Sequence, residues 1–124
     1  MIHKLAEEIY SSSVHLKQYD GRKLLFKKYR LLLLAELREL KSKTDALIRC
    51  LSDDPDYSAK YCELSQFMSK ILSECSDLLQ NNEARQREKL LHALANFHNL
   101  PRVFLSPENP FRISAEQAMD FFTL

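Results

Sequence analysis

An all-α fold, a bundle of four or five helices built on one long antiparallel hairpin, is predicted by three observations. Apolar residues recur at alternating three- and four-residue steps through most of the chain. The 124 residues include one glycine, Gly21, where average usage would give about nine. Charged side chains, 28% of the total, are interspersed with the apolar ones, as on amphipathic helices. Glycine supplies the positive φ angles of hairpin turns, so its scarcity argues against a many-stranded sheet.

The first segment, 2–19, places Ile2, Leu5, Ile9, Ser12, Leu16 and Tyr19 on one helical stripe. The run Ser11-Ser12-Ser13 weakens it, because serine competes for backbone hydrogen bonds. Asp20-Gly21 then reads as a break, with Asp20 a candidate cap for the next helix.

Residues 22–52 give the strongest helical pattern. Leu33, Leu37, Leu40, Thr44, Leu47 and Leu51 step by four and three, with Phe26 and Tyr29 extending the line backward and Leu34 and Ile48 widening it. The run Leu31-Leu32-Leu33-Leu34 covers more than one face, which predicts either a central helix or one that meets a second chain. Ser52-Asp53-Asp54-Pro55-Asp56 ends the segment, since proline cannot continue the hydrogen-bond ladder.

Residues 58–80 carry a second line, Tyr61, Leu64, Met68, Ile71, Cys75 and Leu78, flanked by Phe67, Leu72 and Leu79. A polar stretch from Gln80 to Lys89 precedes a further helix, 83–98, with Leu90, Leu91, Leu94 and Phe97; whether 58–98 is one helix or two is left open by the pattern. Pro101, Pro107 and Pro110 make 99–113 a connector. Ser114-Ala115-Glu116-Gln117 has the form of a capping box and opens a short amphipathic helix over 115–123.

Charge divides between the two long segments. Residues 20–52 carry nine basic and four acidic side chains, and residues 53–82 carry two basic and six acidic. Joined by a short turn, such helices pack antiparallel, and their opposite charges favour pairing with each other over pairing with like copies.

Composition removes several function classes. A Walker loop, a dinucleotide fingerprint and a nucleophile elbow all need several glycines. Cys50, Cys62 and Cys75 are odd in number and widely spaced, which does not fit zinc fingers or ribbons and reads as reduced core cysteines in a reducing compartment. His3, His15, His92 and His98 form no Glu-x-x-His or His-x-x-x-His pair. No enzyme activity, metal or cofactor is therefore expected. No stretch approaches the length of a membrane span, and Glu7 and Glu8 interrupt what a signal peptide would keep apolar, so an intracellular, cytoplasmic or nuclear setting is expected.

The function that remains is protein–protein interaction, as a subunit, adaptor or chaperone-like component, with a protein partner or a second copy of the chain. The expected partner surface is Leu31, Leu32 and Leu34 together with Met119, Phe121, Phe122 and Leu124. The alternative is nucleic-acid contact through the cluster Arg22, Lys23, Lys27, Lys28 and Arg30, interleaved with Phe26 and Tyr29.

Two short resemblances accompany these readings. Arg87-Glu88-Lys89-Leu90-Leu91-His92 resembles the motif of the HEPN family, small helical domains that include ribonucleases, in which an arginine precedes a histidine by a few residues. The resemblance implies that Arg87 and His92 act on an RNA phosphate; it covers six residues, and Glu88 stands where active members carry a smaller polar residue. Asn109-Pro110-Phe111 is similar to the peptide bound by EH-domain trafficking proteins, and reads equally as a turn that tucks Phe111 onto the bundle.

Overall fold

The computed structural model describes residues 2–54, 59–81 and 84–105 of the chain. Among them are four α-helices and no strand: α1 (Ile2–His15), α2 (Lys27–Ser52), α3 (Ala59–Asn81) and α4 (Arg87–Asn96). Short 3₁₀ turns occupy Leu16–Gln18, Lys23–Leu25, Ala84–Gln86, Phe97–Asn99 and Pro101–Phe104. The Pro55 turn, the Asn109-Pro110-Phe111 tripeptide and the helix expected over 115–123 lie outside the described residues.

The long helix α2 is the centre of the arrangement, because its apolar ridge is unbroken. Leu33, Leu37, Leu40, Thr44, Leu47 and Leu51 are all buried, as their spacing predicts. Each buried leucine of this ridge contributes about 2 kcal/mol relative to leaving it in water. Helix α2 is about 39 Å long. Helices α2 and α3 pack along each other, and the six residues between them span only about 20 Å, too little to return the length of α2, so the pair is an antiparallel hairpin.

Helix α1 also packs on α2, and against the 101–104 turn. Its buried line is Ile2, Ala6, Ile9 and Ser13, followed by Leu16. Small residues at positions 6 and 13 let α1 approach closely, and the buried Ser13 hydroxyl is satisfied by donating to the Ile9 carbonyl. Helix α4 lies against α3 and against the 16–18 turn. Phe97, Leu100, Pro101 and Phe104 then close the bundle between α1 and α3, with the Phe104 ring 5.4 Å from that of Tyr61.

Two departures from the sequence pattern have physical causes. The helix expected from residue 22 divides at Phe26, whose backbone is extended at φ −99°, ψ 129°. In an uninterrupted helix Leu24, nine residues before Leu33, would point to the opposite face. The break turns it inward, and Leu24 is fully buried. Asp20 Oδ1 caps the preceding turn by accepting from the Lys23 N–H at 2.8 Å, and Arg30 Nη1 donates to the Leu24 carbonyl at 2.9 Å, tying that turn to α2. On α3 the buried line is Leu64, Met68, Leu72, Cys75 and Leu79, while Tyr61, Ile71 and Leu78 are half-buried. The core lies one residue to the side of the predicted stripe, which leaves Phe67, Ile71 and Leu78 on a second face.

Candidate functional site

Four large apolar side chains are exposed within residues 25–32, where the chain enters α2. Leu25, Phe26, Leu31 and Leu32 are 60%, 59%, 56% and 50% exposed. Leu31 and Leu32 point away from the buried ridge because successive helical residues diverge by about 100°, and Leu33 between Leu32 and Leu34 takes the inward position. Leu34, expected with them, packs partly into the core instead. Leu25 and Phe26 are exposed because the break at Phe26 sends Leu24 inward in their place. The sequence pattern missed this pair: Phe26 continues the α2 stripe on paper, and only the break separates it. Met119, Phe121, Phe122 and Leu124 lie outside the described residues.

The basic cluster lies in the same stretch of chain. Arg22, Lys27 and Lys28 are exposed. Lys23 and Lys28 place their Nζ atoms 5.8 and 5.6 Å from the centre of the Tyr29 ring. Arg30 is committed to the Leu24 carbonyl. Three of the five cations are therefore engaged within the chain, at the Tyr29 ring and the Leu24 carbonyl.

A second concave feature lies between α3 and α4, with a volume of about 660 Å³. Its floor is apolar, made by Phe67, Ile71, Leu78 and Ala93, with Cys75 beneath. Its rim is charged, with Lys70 and Glu74 on α3 and Glu88, Lys89 and His92 on α4. Asn96 Nδ2 donates to the His92 carbonyl at 2.8 Å and lies 3.4 Å from His92 Nδ1. Arg87 is not among the residues lining this groove. Five residues on a helix turn through about 140° beyond a full revolution, so the Cα–Cβ directions of Arg87 and His92 diverge.

A third, smaller pocket of about 80 Å³ is bounded by Ser12 and His15 of α1 and Glu36 and Glu39 of α2. Beside it Tyr19 is buried near the Glu36 carboxylate; burial first, and that carboxylate second, raise the phenol well above its ordinary value. Among the described residues no three His, Cys, Asp or Glu side chains are grouped so as to hold a metal ion, and no helix is long and apolar enough to cross a membrane. The three cysteines are free thiols.

Comparison of the chain with protein-family models, with curated proteins and with solved structures finds no match.

Proposed function

We propose that the protein is a non-enzymatic binding module that docks a protein partner on the entrance to α2. The observation that carries this reading is the group Leu25, Phe26, Leu31 and Leu32, each half or more exposed on a bundle whose other large side chains are mostly withdrawn. Exposed apolar groups clustered inside a polar frame are a common mark of interaction surfaces. Aromatic and leucine anchors supply the binding energy of such a surface, and the charges around it set orientation and partner choice. Arg22 and Lys27 fit a partner helix with an apolar stripe edged by Asp and Glu. Phosphate recognition is less well served, because Lys23, Lys28 and Arg30 already engage Tyr29 and the Leu24 carbonyl.

Affinity capture from the native cell, read by mass spectrometry, tests this with the wild-type chain, Leu31→Glu with Leu32→Glu, and Lys27→Glu with Lys28→Glu. The expected result is a stoichiometric protein partner that the leucine variant loses and the lysine variant holds roughly tenfold more weakly. A leucine variant that recovers the same partner would remove this surface from the reading. Recovery of nucleic acid, lost only in the lysine variant, would replace it with the nucleic-acid reading.

A further inference from the structure

Positions spaced by four, three and four residues fall in one line along an α-helix. On α2, Lys27, Leu31, Leu34 and Arg38 have that spacing, and beside them runs a second line, Lys28, Leu32, Ala35 and Glu39. Leu34 is half-buried and the other seven are exposed. The two lines differ at their ends. Lys28 Nζ is held 5.6 Å from the centre of the Tyr29 ring, and Glu39 Oε1 lies 3.5 Å from Lys43 Nζ. Lys27 and Arg38, which end the first line, form no ion pair or cation–π contact among the described residues. Two unengaged cations therefore stand about 17 Å apart along the axis, with leucines between them. From Gly21 to Ala35 the chain holds five bases and no acid.

We propose that the strip from Lys27 to Arg38 receives an amphipathic helix of another protein, with carboxylates about three turns apart and apolar side chains between them. This rests on the docking surface proposed above. It adds the length of the site, Arg38 as its far end, and the charge pattern of its occupant.

Three arguments select that occupant. The first is the backbone. Inside a helix the N–H and C=O groups bond along the chain, so α2 offers no edge to which an extended strand could add. What a helix does offer is a row of side chains, and a second helix packs its own row against that. The second is charge. Covering the leucines takes Lys27 and Arg38 partly out of water, which is unfavourable for a cation without an opposite charge. Carboxylates at the matching spacing supply that charge and set the register. The third bears on self-association. In a parallel pair of strips Lys27 meets Lys27 and Arg38 meets Arg38. In an antiparallel pair Lys27 meets Arg38. Either direction sets cation on cation, so the strip disfavours a second copy of itself.

The test uses the full chain and two fluorescein-labelled synthetic helices, read by fluorescence anisotropy. One carries a leucine stripe with glutamates at its edge, eleven residues apart like Lys27 and Arg38. Its twin carries lysines in their place. The wild type is expected to bind the glutamate helix about tenfold more tightly than the lysine helix. Lys27→Glu with Arg38→Glu, both at exposed positions, is expected to reverse that preference. Leu31→Glu with Leu32→Glu is expected to lose both peptides, with circular dichroism confirming that the bundle is still folded. Equal affinity for the two peptides, unmoved by the charge reversal, would overturn the proposal and leave the docking surface standing. Binding of neither peptide would also overturn it, and affinity capture with the leucine variant then shows whether the surface itself fails. Dimerisation that the leucine variant abolishes, or binding to phosphatidylserine vesicles in place of either peptide, would overturn it by putting a second copy or a lipid surface on the strip.

Discussion

The Ser69 hydroxyl of α3 donates to Asp45 Oδ1 of α2 at 3.0 Å. It is a polar tie across the hairpin. The other carboxylate oxygen lies 3.3 Å from Lys41 Nζ on the same helix, one turn away. One acid thus bonds along α2 and across to α3, midway along the packed ridges.

A hydrogen bond to a charged acceptor at a half-buried site contributes more than a surface ion pair does. Ser69→Ala is expected to lower stability by about 1 kcal/mol, and Asp45→Ala by slightly more because it also releases Lys41. In denaturant melts of both singles and the double, the coupling should come to about 0.5–1 kcal/mol. A coupling of zero would mean that the two side chains do not hold each other in solution.

Thr44 occupies a leucine position in the α2 ridge. It is fully buried, and its Oγ1 finds no hydrogen-bond partner among the described residues. A hydroxyl in that condition has lost its water without compensation. Thr44→Val keeps the shape and removes the polar atom. The variant is expected to be more stable by about 1 kcal/mol, measured as a shift in the denaturation midpoint at unchanged slope. A loss of stability would show that the hydroxyl is satisfied.

The contrast between α2 and α3 shows what the sequence pattern could convey. On α2 one ridge carries the leucines, and with Leu33 facing inward Leu31 and Leu32 turn away from that ridge. Periodicity therefore fixes both the core and half of the candidate site. On α3 two adjacent lines are apolar, Leu64-Met68-Leu72-Cys75-Leu79 and Phe67-Ile71-Leu78, and periodicity alone does not rank them. The contacts with α2 and α4 do, and they turn the second line into the floor of a groove. Leu25 and Phe26 were hidden for another reason. Their exposure comes from a backbone break that buries Leu24, a tertiary gain with no local signal beyond the Asp20-Gly21 turn upstream.

The cysteines should differ sharply in reactivity. Cys50 and Cys62 are half-buried, whereas Cys75 is 3% exposed beneath the α3–α4 groove, and burial pushes its thiol up to about 12, with Glu74 adding to the effect. Only thiolate attacks a disulfide reagent. With Ellman's reagent at mildly alkaline pH, two thiols are expected to react with the native protein and the third only as the chain unfolds. Cys75→Ser with two fast thiols remaining would confirm the assignment; one fast thiol remaining would refute it.

His98 should make stability depend on pH. It packs against the Tyr10 ring, with centroids 6.4 Å apart, and its Nδ1 is buried without a hydrogen-bond partner among the described residues. Burial lowers its pKa from the ordinary value of 6.5, and Lys17 and Arg102 lower it further, against a smaller opposing effect of the Ala95 backbone. The folded chain therefore binds the proton less readily than the unfolded chain does. The stability this neutral imidazole provides is complete above pH 6.5, the unfolded value, and is lost as pH falls below it, until the folded value is passed. Within that window the slope cannot exceed about 1.4 kcal/mol per pH unit for a single group. Melting temperatures measured down from neutral pH are expected to fall in the wild type and to lose this component in His98→Gln, whose amide keeps a polar group at the site but does not titrate. Identical pH profiles for the two proteins would show that His98 accepts its proton as easily in the fold as outside it.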